Sequence, residues 1–193
     1  MILKIVQLGT PVLREKARPL SVEEIRSPGV QQLIEWMRET MRDAPGVGLA
    51  APQVGLPLQL AVIEDRAELL ETISPARLAE LSRKPAPFQV LVNPRIEPAG
   101  EQVEFHEGCL SFPGYTALVP RAFAVRVECL NHRGEPVTFR AEGWHARIVQ
   151  HEVDHLLGAI YIDRMRARTL TTVENWNRYG NARGAAPSGR GSE

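Results

Sequence analysis

The sequence predicts an α+β fold in which antiparallel or mixed β-sheets pack around one central helix. Two observations predict it. Most strand-like segments precede one strongly apolar helical stretch, "GWHARIVQHEVDHLLG" at 143–158, and no repeating strand–helix alternation calls for a parallel sheet. A length of 193 residues with 44% hydrophobic and 24% charged side chains sets the size, enough for one domain with a full core.

The elements follow in order. After an extended start, "VQQLIEWMRETMRD" at 30–43 spaces Val30, Leu33, Ile34, Met37 and Met41 as one helical face. "APGVGLAAPQVGLP" at 44–57 is too rich in glycine and proline to continue it, so the chain turns there. "LQLAVIE" at 58–64 then reads as a buried strand. Residues 65–87 are polar with a short helical pattern, an expected surface insertion. "FQVLVNPRIEP" at 88–98 and "GEQVEFHEGCL" at 100–110 read as two further strands. "AFAVRVECL" at 122–130 and "PVTFRAE" at 136–142 form a hairpin about a turn at 131–135. In the helix at 143–158, Trp144, Ile148, His151 or Glu152, and His155 follow one stripe, and Gly158 is placed to end it. The expected division is a main domain over 1–165 and a C-terminal extension over 166–193, whose last dozen residues are small, polar and expected to be disordered.

The 23 basic and 23 acidic side chains balance, which argues against broad nucleic-acid or membrane-surface binding. No apolar run approaches the ~20 residues of a membrane span and no export signal opens the chain, so the expected location is the bacterial cytoplasm rather than an organelle. Cys109 and Cys129 are expected to be free thiols. Cys129 sits in a strand alternation as a small buried hydrophobe; Cys109, in "HEGCLSFPG", sits where glycine and proline suit a strand end facing a site.

"HEVDH" at 151–155 carries the chemistry. On a helix, residues four apart share a face, so His151 and His155 can reach one ion with Glu152 beside them. The apolar surroundings argue against a solvated charged face. A third protein ligand would leave one position open for water. No histidine follows His155, which removes the proteases that use a third downstream histidine. Glu174, 19 residues beyond His155, is one candidate and would make a thermolysin-like metalloprotease; Cys109, flanked by Gly108, is the other. The glycines of "PGVGLAAPQVG" are not a phosphate loop, since no lysine follows them.

"GVGLAAPQ" at 46–53, "EGCLS" at 107–111 and "HEVDH" resemble the three ordered motifs of the peptide deformylases, with supporting matches in "LVNP", "ALVPRA" and the 143–158 stretch. The insertion at 65–87, Trp144 and the "DRMRARTLTTVENW" ending look most like the branch found in mitochondria and some bacteria. The resemblance implies a peptide deformylase-like fold around a metal-binding helix. It implies hydrolysis of the N-formyl group from the formylmethionine of nascent chains, releasing formate. It implies that Cys109, His151 and His155 bind one divalent metal, iron(II) physiologically, with zinc(II), nickel(II) or cobalt(II) also suited. Glu152 would move protons, while the Gln53 side-chain amide and the Leu110 backbone N–H would stabilise the oxyanion. Val47, Gly48 and Gly108 would line a groove for the peptide as an added strand, and Val47, Trp144, Ile148 and His151 would wall a methionine pocket. Glu107 and Arg121 would pair to brace "EGCLS", while Asp154 either supports them or stays a solvated acid. Thr116 departs from members that place arginine at the groove rim. The six arginines against three acids in 163–193 suggest transient ribosome contact. A family member that binds peptides without catalysis is the other alternative, although every chemical position is intact.

Overall fold

The computed structural model describes residues 1–180. The disorder expected at 182–193 lies outside the described residues. Helix α1 (Val22–Arg26) opens with a capping box in which the Ser21 hydroxyl accepts from Glu24 N–H and the Glu24 carboxylate accepts from Ser21 N–H. Helix α2 (Pro28–Asp43) starts with Ser27 as cap and proline at its first position, where a missing N–H costs nothing. Leu33, Ile34, Met37 and Met41 of α2 are buried against Leu49, Leu60 and Val62, as their spacing predicts.

Five strands make an antiparallel sheet in chain order: β1 (Gly48–Ala50), β2 (Leu60–Asp65), β3 (Ala86–Cys109), β4 (Phe112–Leu130) and β5 (Pro136–Glu142). A short β6 (Thr171–Thr172) pairs with Tyr115 and Thr116 of β4, so this part of the expected C-terminal extension joins the sheet. Between β2 and β3 the surface segment carries a short helix α3 (Pro75–Glu80), capped by Ser74.

Two strand expectations are corrected. The segments at 88–98 and 100–110 are one 24-residue strand, β3, whose pairing with β4 slips between Ala99 and Gln102 instead of ending at "EPAG". A register slip absorbs the glycine and lets the ladder resume. Likewise β4 begins at Phe112, ten residues before the expected start, and runs through Pro113 and Pro120. Cys109 pairs with Phe112, so only Leu110 and Ser111 form the turn of this hairpin.

Helix α4 (Gly143–Leu156) lays Ala146, Ile148, Val149 and Val153 on Ile63, Leu91, Val125 and Val127 of the sheet. Its far end tucks Leu156 against Ala17, Ala50 and Ala61. Gly158 ends the helix with φ +78°. A Cβ there would stand 2.7 Å from the Arg14 carbonyl oxygen. Two penalties therefore act together at this site, positive φ and a backbone overlap. Gly158→Ala is expected to destabilise the fold by about 2 kcal/mol, read as a lowered urea midpoint with unchanged m.

Candidate active site

The two-residue turn and α4 meet to form the site. Cys109 ends β3 with its thiol buried, and His151 and His155 project from adjacent turns of α4. One donor atom from each of the three lies within 4.8 Å of the others. Cys109 Sγ is 3.3 Å from His155 Nε2, and the two imidazole rings stand edge to face with centroids 5.0 Å apart. Ligands of one tetrahedral ion with sulfur and nitrogen donors lie about 3.5 Å apart, so this donor set fits a metal. Glu174 does not join it: its carboxylate is exposed and, among the described residues, pairs with Arg178 at 3.6 Å.

His151 Nδ1 is 3.0 Å from Glu107 Oε2, which leaves Nε2 for the cluster. Glu107 is 6% exposed and accepts much more than this one contact. Arg121 grips both its oxygens, through Nε and Nη2 at 2.9 Å, and Arg147 Nη1 adds a 2.6 Å bond to Oε1. Burial alone would raise the Glu107 pKa, but Arg121 and His151 outweigh it and hold the carboxyl well below the ordinary range. Burial also opposes a proton on His151, yet hydrogen bonds to Cys109 and Glu107 raise its pKa well above the usual imidazole value. The field that favours that proton favours a cation in its place. His155 is pushed the other way, by burial first and then by the charge on His151.

Asp154, for which a solvated surface position was as good an expectation as a supporting one, is buried. It pairs with Arg121 and takes a bidentate grip from Arg164 at 2.7 Å. Thr116 is also buried rather than at the rim. Its hydroxyl donates to the Glu107 carbonyl at 2.8 Å.

Glu152 is 4% exposed, and among the described residues its Oε2 has no hydrogen-bond partner. Burial pushes its pKa up to about 7, against the opposing pull of His151 and Arg121. A carboxyl poised there can take and return a proton near neutral pH. Room for it comes from Gly48, where any Cβ would overlap Glu152 Oε1. Gln53 accepts from Ala50 N–H at 2.8 Å, which turns its amide nitrogen toward Ser111 Oγ at 3.3 Å and Cys109 Sγ at 3.6 Å.

One cavity of about 910 Å³ is lined by Cys109, His151, Glu152, Gln53 and Leu110 together with Val47, Gly48, Gly108, Trp144 and Ile148. His155 lies behind it, fully buried. Sequence reasoning missed Arg147, Arg83, Val173 and the Phe112–Tyr115 stack as neighbours of this space. Arg147 precedes His151 by one helical turn, a spacing that was available as a signal. Tyr161 was missed as well; its ring lies 6.3 Å from that of His151, and its buried hydroxyl has no partner among the described residues.

Among the described residues, no helix is long and apolar enough to cross a membrane. The polypeptide deformylase family model matches residues 2–170. Peptide deformylase 3 of Streptomyces avermitilis is 46% identical over 97% of this chain and 84% of its own. The chloroplastic peptide deformylase 1A of tomato is 44% identical over 89% of this chain, which spans 62% of that relative's length. A class I type b peptide deformylase from Acinetobacter baumannii, solved with Met-Ala-Ser bound, superposes with a TM-score of 0.76 at 35% identity, covering 86% of this chain and 99% of that one. Sequence motifs, site geometry and relatives agree: this chain belongs to the polypeptide deformylase family.

Proposed function

We propose that the chain hydrolyses the N-formyl group from formylmethionine at the start of new polypeptides, releasing formate. The observation that carries this reading is a thiol and two imidazoles converging beside a cavity lined by Cys109, His151 and Glu152, whose Oε2 has no hydrogen-bond partner among the described residues. Cys109, His151 and His155 are the proposed ligands of one divalent ion, iron(II) in the cell. When bound, such an ion activates water near neutral pH and polarises the formyl oxygen.

Glu152 takes the proton of the attacking water and delivers it to the departing amine nitrogen. The Gln53 amide and the Leu110 N–H donate to the oxygen that gains charge. A buried donor already held by Ala50 needs little reorganisation when that charge develops. Strand β1 is terminal in the sheet, which supports pairing of an extended peptide along Gly48 with Gly108 across the groove. Main-chain pairing tolerates many sequences, so selection falls on the methionine pocket between Val47, Trp144, Ile148 and His151.

The metalloprotease alternative lacks support because Glu174 is exposed and turned to Arg178. Three variants check the roles by formate release from formyl-Met-Ala-Ser under anaerobic, iron-loaded conditions. Glu152→Gln is expected to keep one metal per chain and lose on the order of 10³-fold in kcat. Cys109→Ser is expected to lose tight metal binding, since thiolate is the softest donor of the set. Glu174→Ala is expected to keep full activity. A Glu152→Gln protein that holds metal and still turns over would remove Glu152 from the mechanism.

A further inference from the structure

The far wall of the cavity carries guanidiniums beside its apolar side chains. Trp144, Ile148 and His151 share one face of α4 over two helical turns, about 10 Å, and all three line the cavity. Guanidiniums lie close to this indole: Arg83 is 5.2 Å from the Trp144 ring centroid and Arg147 is 6.0 Å from it, and both line the cavity. Arg83 belongs to the surface segment between β2 and β3, and Asp65, at 1% exposure, pins it through Nε at 2.8 Å and Nη2 at 2.9 Å. That grip uses one edge of the guanidinium. Among the described residues the Nη1 edge has no hydrogen-bond partner, and the Trp144 Nε1 hydrogen is likewise unpartnered and buried.

A thioether sulfur is too weak an acceptor to use such donors well. Oxidation to the sulfoxide places a strong acceptor oxygen on that same sulfur without lengthening the chain. An apolar pocket rejects this oxygen, because burying it unpaired is costly, whereas a pocket with a fixed cationic donor accepts it. We propose that Arg83 is a specificity-determining residue that lets this deformylase process formyl peptides beginning with methionine sulfoxide as well as methionine. The chemistry at the formyl group is unchanged: water adds across the amide carbon, the C–N bond breaks, formate and a free amine leave, and the sulfoxide is untouched. The proposal rests on the deformylase reading above.

The test compares formate release from formyl-Met-Ala-Ser and from the same peptide with methionine sulfoxide, using the iron-loaded full chain. Wild type should process the sulfoxide with kcat/KM within about tenfold of the methionine peptide. In Arg83→Leu the sulfoxide-to-methionine ratio of kcat/KM should fall by at least about fivefold. Asp65→Asn with Arg83→Leu should give the same fall, and covers the case in which an unpaired buried Asp65 prevents folding. A smaller change in the ratio in a variant that cleaves the methionine peptide overturns the proposal, as does a wild-type sulfoxide kcat/KM below about one hundredth of the methionine value. Absence of formate from the methionine peptide with wild type instead overturns the deformylase reading itself.

Discussion

One buried carboxylate holds the site together. Glu107 on β3 accepts from Arg121 on β4 and faces Arg147 and His151 on α4, so a single charge ties three elements at the point where the chemistry is proposed to occur. A carboxylate taken out of water without partners would cost several kcal/mol, and here each oxygen has two. Arg121 is balanced in turn by Asp154, and Asp154 by Arg164, which reaches toward the surface. Removing one member leaves another buried charge uncompensated, so the network is tolerated only whole. This rigidity lets a histidine four residues from its partner keep one ring orientation.

From that anchor the rest of the site follows by short steps. The β3–β4 hairpin has a turn of only Leu110 and Ser111, which sets the Cys109 thiol at the strand end beside His155. A Cβ at position 48 of β1 would overlap Glu152 Oε1, so glycine there leaves the space that holds the Glu152 carboxylate. Gln53, in the single turn after β1, is oriented by the Ala50 N–H toward the hairpin turn. His151, Glu152 and His155 sit on α4 and Cys109 ends β3, with Leu110 in the tight turn that follows, as preorganised electrostatics requires.

Much of this was legible in the sequence, for identifiable reasons. The two long helices carry 3.6-residue periodicity, and the pair His151 and His155 declares a shared face. The hairpin about 131–135 announces itself through alternation and "NHRGE", where Gly134 takes φ +72°. Strand lengths were harder. Pro98, Gly100, Pro113 and Pro120 look like interruptions, yet β3 and β4 bulge or pass them because the ladder on either side is long. Arg83 and the burial of Asp154 were illegible for a different reason: a charged residue reads as solvent-facing until tertiary structure supplies its counter-charge, and those partners lie 18 and 33 residues away in sequence. Choosing between Cys109 and Glu174 as third ligand needed the family resemblance, because nothing local reveals that strand β3 ends against α4.

The account stands on Glu107 preparing His151 for the metal, and cobalt(II) titration of wild type and Glu107→Gln tests this most directly. Wild type should bind one cobalt with the absorption of a thiolate ligand. Glu107→Gln, where folded, should bind about 10- to 100-fold more weakly, the usual loss when the partner of a ligating histidine is removed. A folded Glu107→Gln protein that binds cobalt as tightly as wild type, with the same spectrum, would contradict the claim that this carboxylate organises the site.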